Sequence, residues 1–346
     1  MPLSTSDFNR WRRFSLTLLI TCMGAIFLLW LFIIFVDPWG MLPLSPPFKR
    51  IPISTNARYS FPALAIDKKF NSIIIGTSTS RPLQPQWLDT QFKTKFVNLS
   101  MNSATPWEQE RIFNLFLQTH PTPKVVIFNM DQAWCFGDPE KPNRPFPLWM
   151  YGSSRWKGYL TMANLYALQE AFNQFLWLVG LKKQRYGSDG FTPLLPANFV
   201  YSPQKVNKVF QEWDQPDNRF VGDELLEQPA LNRLYRMLNK LPKETVKIII
   251  IPPFSAEFYG KKKGLTATNW KLFKENLARL MSKTPKGYLI DFAIINQITT
   301  NRYNFWDPIH YRPFVADQIM QSIVQAVLQK KPMPNHFNQI LSLPKS

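Results

Sequence analysis

Two short segments near opposite ends of the chain carry residue types that could perform nucleophilic catalysis. The first, residues 76–81, reads GTSTSR and directly follows the apolar run 73–75. A glycine followed by small hydroxylated residues lets the backbone turn sharply and can present a serine hydroxyl at a helix N-terminus, where anions are also stabilised. Serine and threonine also cap helices routinely, so this segment alone leaves a capping role open.

The second segment, residues 306–313, reads WDPIHYRP and places Asp307 three residues before His310. On one tight turn the carboxylate can hold the imidazole in a productive tautomer, and His310 is then a candidate general base toward a serine hydroxyl. The chain contains three histidines, and its two cysteines, Cys22 and Cys135, are far apart. These counts predict no metal site, and serine chemistry requires no cofactor.

The pattern of apolar runs indicates which elements position these segments. Short, mostly β-branched runs bounded by turn residues predict buried strands at 72–75, 95–98, 125–129, 246–251 and 288–292. Segments of helical period lie between and after them, at 107–118, about 160–181, 269–282 and 313–328. This alternation predicts an open, largely parallel α/β sheet. Because reactive groups collect at the carboxyl ends of the strands in such sheets, both segments lie where chemistry is expected.

The composition is that of a folded protein with one large or two ordinary domains. Of the 346 residues, 45% are hydrophobic and 18% are charged, which excludes a disordered chain, a peptide hormone and a small disulfide scaffold. We expect a linker and a first edge element at 37–70, an α/β domain at 71–330 and a tail at 331–346. Residues 137–242 interrupt the alternation of strand and helix, and they are predicted to form an insertion or cap within the domain.

The N-terminal region carries a candidate membrane anchor. Residues 14–36 contain no charge, and at about 1.5 Å per residue they form a helix of roughly 34 Å, enough to cross a hydrocarbon core of about 30 Å. We expect a single transmembrane helix that acts as an uncleaved signal anchor, rather than a buried core helix or a cleaved signal peptide. Residues 1–13 include three arginines, whereas no basic residue follows the helix before Lys49. The positive-inside rule therefore places residues 1–13 in the cytoplasm and the C-terminal domain outside it.

With these motifs, the chain resembles the SGNH/GDSL hydrolase superfamily. It is most similar to the membrane-anchored branch that includes the alginate O-acetylation proteins and the lipoteichoic-acid D-alanylation protein. The resemblance covers roughly residues 70–330 outside the insertion, and it implies a flavodoxin-like open parallel sheet. It also implies that Ser78 is the nucleophile, since the family's serine follows the first strand, and that Asp307 and His310 form the closing Asp-x-x-His motif. The implied location is a bacterial cytoplasmic membrane, with the domain in the periplasm.

The resemblance also implies an oxyanion hole, although two blocks depart from the family pattern. Ser100 or Ser103 stands where the family usually has a glycine, and a serine backbone N–H can still donate. Residues 129–132 read NMDQ at the position of the asparagine block, so Asn129 or Gln132 is the candidate side-chain donor. The expected donors are therefore Ser78, Ser103 and Asn129. Asp131, in the same block, either binds ligand or ends a strand.

These features give two leading functional hypotheses. The first is an extracytoplasmic serine esterase or O-acyltransferase that acts on acyl esters, most simply acetyl esters, of a cell-envelope or secreted polysaccharide. The resemblance implies a multispanning membrane acyltransferase as acyl donor, and hydrolysis and transfer both remain open. The second is a catalytically inactive scaffold or glycan-binding module with the same fold, motivated by the departures in the glycine and asparagine blocks.

The basic charge of the chain bears on its partners without choosing among them. The net charge of +18 suits an anionic glycan or a lipid surface. The basic and aromatic tracts at 152–159 and 181–187 suit a polyanion, sugar rings or lipid headgroups, or they form solvated basic loops. Nucleic acid ranks third as a partner, because a domain outside the cytoplasm meets little of it.

Overall fold

A computed structural model gives the fold of the chain. It describes residues 5–135, 140–184, 186–193, 200–213, 227–259, 267–331 and 337–344. The chain divides into two compact units. The N-terminal unit comprises Met1–Ser54 and Leu148–Arg185, and the α/β unit comprises Thr55–Pro147 and Tyr186–Ser346.

The described residues form helices along most of the chain. In chain order these are α1 Thr5–Val36, α2 Ala57–Ala65, α3 Pro85–Phe92, α4 Pro106–Thr119, α5 Leu148–Tyr151, α6 Gly158–Thr161, α7 Leu165–Leu178, α8 Pro203–Trp213, α9 Pro229–Asn239, α10 Ala256–Tyr259, α11 Ala267–Met281 and α12 Pro313–Val324. Short 3₁₀ turns cover Ser78–Ser80, Gln132–Trp134 and Arg302–Asn304, and a π-helical turn at Gln325–Gln329 extends α12.

Helix α1 is the apolar helix expected from the sequence, and it is long and apolar enough to span a membrane. It begins at Thr5, nine residues before the apolar run, and its portion Phe8–Val36 has a mean hydropathy of 2.8 over its most apolar window. Only 11% of that window is buried, which distinguishes it from the core helix of a globular domain. The guanidinium of Arg50 donates hydrogen bonds to the carbonyls of Val36 and Asp37, so a cation caps the C-terminal end of the helix.

The α/β unit is built on a mostly parallel sheet. Its described strands are β1 Ser72–Ile75, β2 Phe96–Asn98, β3 Val125–Asn129, β4 Val246–Ile251, β5 Gly287–Asp291 and β6 Gln339–Ser342. Their order is β2-β1-β3-β4-β5-β6, with β6 antiparallel to β5 and every other pair parallel. The first five strands follow the doubly wound order 2-1-3-4-5. The expected open, largely parallel α/β sheet is therefore confirmed.

The strands are continuous apolar runs because both faces of the sheet are covered. Every residue of β1, β3 and β5 is buried, as expected for parallel strands with helices on both sides. On one face, Ile127 and Ile250 of the sheet belong to the same buried cluster as Ile319 and Ile323 of α12. This packing fixes α12, and with it the loop that precedes α12, over the carboxyl ends of the strands.

Three segments differ in detail from the sequence-based expectations. The region 137–242 is divided between the units: Leu148–Arg185 belongs to the N-terminal unit, whereas the part from Tyr186 onward belongs to the α/β unit. The segment 37–70 contains helix α2 and no strand, although an edge element was expected there. The expected tail contributes β6, which pairs with β5 at the sheet edge.

Candidate active site

Ser78 lies in a sharp turn at the carboxyl end of β1. The strand ends at Ile75, and Thr77 caps the 3₁₀ turn that begins with Ser78. A Cβ atom on Gly76 would lie 2.8 Å from Asn129 Cβ and still closer to Ser80 Oγ, so only glycine fits at this point. The glycine therefore allows β1 to turn directly beneath Ser78, whose side chain is half-buried.

Asp307 and His310 lie on a closed loop before α12. Phe305 and Tyr311 form an antiparallel bridge at its base, and the Trp306 N–H donates to the His310 carbonyl at 2.8 Å. Asp307 Oδ1 accepts the backbone N–H groups of Ile309, at 2.9 Å, and His310, at 2.8 Å. These bonds hold the carboxylate against the turn and leave its second oxygen for the imidazole.

The structure brings Ser78, His310 and Asp307 into one hydrogen-bonded chain. Ser78 Oγ lies 2.7 Å from His310 Nε2, and His310 Nδ1 lies 2.6 Å from Asp307 Oδ2. The serine and histidine are 232 residues apart in the sequence. The side chains of His310 and Asp307 are 18% and 21% exposed, so the group lies at a surface that a substrate can reach.

A second polar network, which the sequence motifs do not reveal, holds the turn at residues 77–80 against the end of strand β3. The hydroxyl groups of Thr77 and Thr79 both donate to Asp131 Oδ2, the latter at 3.3 Å. Thr79 Oγ1 in turn accepts from Asn129 Nδ2 at 2.6 Å, and the Tyr311 hydroxyl donates to the Thr79 carbonyl. The threonines flanking Ser78 are thereby fixed to the end of the adjacent strand β3. The alternating threonines were the available sequence signal for this role.

Asp131 is a buried carboxyl group within this network, and its side chain is not open to ligand. It is 5% exposed, and burial raises its pKa above the usual range for aspartate. Hydrogen bonds from Thr77, Ala133 and Thr79, together with the positive field of His310, act in the opposite direction. Of the two roles left open by the sequence, the geometry agrees with a structural one.

The neighbouring strand β2 supports the other end of the turn. Ser80 Oγ donates to Ser100 Oγ at 2.8 Å. Asn98 Nδ2 donates to the carbonyls of Ser80, at 2.9 Å, and Leu83, at 3.0 Å, while Asn98 Oδ1 accepts the Ser100 N–H at 3.1 Å. The turn is therefore held from both adjacent strands, which leaves Ser78 as its outward-facing hydroxyl.

The three expected oxyanion donors, Ser78, Ser103 and Asn129, differ in burial and in backbone environment. Ser78 is the first residue of its 3₁₀ turn, where backbone N–H groups lack partners within the helix. Ser103 is exposed and has a φ of 53°, in the left-handed region that favours the glycine expected there. Asn129 is completely buried and its amide donates to Thr79, so it is positioned to support the turn rather than to contact a substrate. Ser100 is also buried, and its N–H is bonded to Asn98.

The remaining chemistry of the site follows from its residue types. A hydroxyl, an imidazole and a carboxylate in this order can generate a nucleophile, accept its proton and stabilise the resulting imidazolium. Among the described residues there is no group of three or more histidine, cysteine, aspartate or glutamate side chains that could hold a metal ion.

No protein-family model and no curated protein matches this chain.

Proposed function

We propose that this chain is a membrane-anchored serine esterase or O-acyltransferase of the SGNH/GDSL hydrolase superfamily. The observation that carries the proposal is the hydrogen-bonded chain from Ser78 through His310 to Asp307. The strand order and the Asp-x-x-His spacing support the assignment to the superfamily.

In the first half-reaction Ser78 Oγ attacks the carbonyl carbon of an acyl ester. His310 Nε2, 2.7 Å away, accepts the hydroxyl proton as the new C–O bond forms. Asp307 Oδ2, 2.6 Å from Nδ1, keeps the Nδ1–H tautomer and stabilises the imidazolium. When the tetrahedral intermediate collapses, the ester C–O bond breaks and His310 returns the proton to the leaving alcohol.

In the second half-reaction the acyl group leaves Ser78. Water or a sugar hydroxyl attacks the carbonyl carbon of the acyl-enzyme while His310 accepts its proton. The bond from the acyl group to Ser78 then breaks, and His310 returns the proton to Ser78 Oγ. Water as the acceptor gives hydrolysis, and a sugar hydroxyl gives transfer. Both outcomes use the same three side chains.

The oxyanion formed in each step requires hydrogen-bond donors. We assign this role to the backbone N–H group of Ser78, at the start of its 3₁₀ turn, and to that of Ser103, which stands at the family's glycine position and has the positive φ that glycine favours. Asn129 is left out of the hole, since its amide is directed to Thr79 within the core. The loss of one donor costs about 100- to 1000-fold in rate in related chemistry, so a slow enzyme is expected.

The substrate and location proposed here follow from the anchor and the charge. Helix α1 inserts in a bacterial cytoplasmic membrane with its basic N-terminus inside, and the α/β unit then lies in the periplasm. The acyl acceptor or donor is a cell-envelope or secreted polysaccharide, for which a net charge of +18 favours anionic chains. A multispanning membrane acyltransferase would supply the acyl group.

The test is hydrolysis of p-nitrophenyl acetate by the full-length chain in mild detergent. Ser78→Ala and His310→Ala should both reduce the rate to that of buffer, whereas Ser154→Ala, a change at an exposed loop serine, should leave it unchanged. Activity that survives Ser78→Ala would refute the assignment of the nucleophile.

The alternative function is a non-catalytic glycan-binding module, and the burial of Asn129 favours it because one expected oxyanion donor is missing. This reading predicts no ester turnover by the folded chain. It also predicts that Ser78→Ala leaves polysaccharide binding intact.

A further inference from the structure

Helix α7 has the reverse of the side-chain distribution found in a helix at a water-exposed surface. The side chains that it buries are small or polar: Ala167, Glu170, Ala171 and Gln174. The side chains that it exposes are mostly large and apolar: Leu165, Gln169, Phe172, Phe175 and Leu178. A surface helix in water turns its apolar stripe inward, so this outward stripe indicates an apolar environment.

The exposed face of α7 is continuous with the apolar surface of α1 in the same unit. The ring of Phe32 in α1 lies 4.9 Å from that of Phe172 and 6.0 Å from that of Phe175. Two residues before Phe32, Trp30 Nε1 donates to the Tyr159 carbonyl at 2.8 Å. Whatever environment covers this end of α1 therefore also covers α7.

When α1 ends at the bilayer surface, its contacts with α7 and Tyr159 lie at the depth below that surface which is typical of an interfacial helix. Phe32 lies four residues before the end of α1 at Val36, and Trp30 lies six residues before it, which correspond to about 6 Å and 9 Å along the axis. Amphipathic helices at a bilayer surface bury their apolar face about 5–10 Å deep. The 14 residues of α7 span about 21 Å, too short to cross a core of about 30 Å.

The charges of the same unit fit an anionic lipid surface. Within residues 37–54 and 148–184 the acidic side chains are Asp37 and Glu170, and both are buried. The exposed charged side chains of these segments are basic: Lys49, Lys157, Lys182 and Lys183. Lys182 and Lys183 lie four and five residues after Leu178, the last residue of the apolar stripe, where their ammonium groups can reach lipid phosphates.

We propose that residues 148–184 form a second membrane contact, in which α7 lies in the interface of the leaflet where α1 ends. The apolar stripe contacts acyl chains, and the lysines contact headgroup phosphates. This surface rests on the insertion of α1 proposed above, but it is independent of the ester chemistry. The anchor then holds the chain by two elements rather than by a single flexible tether.

The test places a fluorescent label, NBD, at chosen cysteines of the full chain in vesicles of equal parts phosphatidylcholine and phosphatidylglycerol. Cys22, which is exposed on α1, reports insertion of the anchor, and the buried Cys135 stays unlabelled. In a Cys22→Ser background, Leu165→Cys, at the start of α7, and Val179→Cys, at its C-cap, report on the two ends of the helix, since these side chains are 83% and 52% exposed. Lys208→Cys, at an exposed polar position, supplies the water-exposed reference. Quenching is measured with bromines on the lipid acyl chains and with aqueous iodide.

We expect brominated lipid to quench both α7 labels to an extent comparable with the Cys22 label. Iodide should quench the α7 labels far less than it quenches the Lys208 label. Iodide quenching at the level of the Lys208 label, with Cys22 quenched by lipid, would overturn the second contact and leave the anchor standing. Protection from both quenchers would also overturn it, because protein rather than lipid would then cover the stripe. If the Cys22 label lacks lipid contact, the anchor fails and the α7 surface fails with it. None of these outcomes depends on Ser78, so the ester chemistry is judged separately.

Discussion

Replacing Asp307 by asparagine should disable the base while leaving the loop folded. Asp307 Oδ1 accepts two backbone N–H groups at 2.8 and 2.9 Å, and Oδ2 lies 2.6 Å from His310 Nδ1. An asparagine has one acceptor oxygen, and keeping both backbone bonds turns its NH₂ group toward Nδ1. His310 then carries its proton on Nε2, so it donates to Ser78 and cannot accept the serine proton.

The size of the effect follows from these bonds. Rotating the amide to restore the correct tautomer leaves backbone N–H groups without an acceptor, at a cost of about 1–3 kcal/mol, which is about 5- to 150-fold in rate. The imidazolium also loses its anionic partner, and charge-assisted hydrogen bonds are roughly twice as strong as neutral ones. Together these losses predict a decrease of about 10³- to 10⁴-fold, in the range known for triad aspartates.

The assay is the acylation rate of the full chain with p-nitrophenyl acetate, followed with a melting curve for each variant. Asp67→Asn is the matched control, because Asp67 also accepts a backbone N–H from the residue two positions later, Lys69, but is distant in sequence from the loop that carries Asp307 and His310. Its rate should equal that of the unmodified chain. An Asp307→Asn rate within about tenfold of the unmodified chain, with Ser78→Ala inactive, would refute the role assigned to the carboxylate.

Three further changes test the scaffold around the site. Gly76→Ala should lower the melting temperature and abolish ester turnover, because the new Cβ would overlap Ser80 and cost about 1–3 kcal/mol or more. Glu108→Ala should destabilise the chain by about 3–5 kcal/mol in thermal unfolding, since the buried guanidinium of Arg58, 2.6 Å from Glu108, loses the carboxylate that balances its charge. Asp131 should make the free energy of unfolding fall as pH rises. Its pKa is raised in the folded state, so the folded chain binds more protons than the unfolded chain between about pH 4 and that raised pKa. Asp131→Asn should remove this slope, and melting curves across acidic pH measure it.

Matched controls separate these effects from general damage. Gly152→Ala introduces a Cβ whose nearest neighbour is 3.9 Å away, and it should leave the melting temperature unchanged. Glu275→Ala removes an exposed pair with Lys271 and should change stability by less than about 1 kcal/mol. An equal loss at Glu108 and Glu275 would contradict the buried-pair argument. A pH slope that persists in Asp131→Asn would contradict the assignment to Asp131.

Much of the α/β unit was predictable because its signals are local and strong. The continuous apolar runs predicted β1, β3 and β4 to the residue, since strands buried on both faces need no alternation. The edge strand β6 was not predicted, because Gln339–Ser342 is short and only one of its four residues is buried. Its place depends on pairing with β5, which the sequence of either segment alone does not specify.

Helix α7 shows the limit of periodicity. The helical period predicted a helix over about 160–181, and the structure has α6 and α7 there, with Asn164 between them as the N-cap of α7. Periodicity indicates that a helix has two faces, but it does not say which face is covered by protein. The outward apolar stripe became visible only with the burial of each side chain.

In the candidate site, the positions closest to the strand ends were predictable and the supporting network was not. Either motif alone has ordinary structural uses, but Ser78, Asp307 and His310 stood out because the two segments together supply a hydroxyl, a base and a carboxylate at strand ends. The sequence left ligand binding and strand termination both open for Asp131, because its bonds to Thr77 and Thr79 join two strands that are neighbours only in the folded sheet. The hydrogen bond from the Asn129 amide to Thr79 likewise depends on a side-chain direction that no sequence pattern encodes.

The site at which a fluorophosphonate serine probe reacts tests most directly whether Ser78 is an activated nucleophile. The full-length chain in mild detergent is labelled, digested and analysed by mass spectrometry, beside Ser78→Ala and His310→Ala. We expect one adduct per chain, on Ser78, which is lost in Ser78→Ala and forms far more slowly in His310→Ala. A folded chain that gives no adduct, or an adduct on another serine, would contradict the claim that Ser78 is an activated nucleophile.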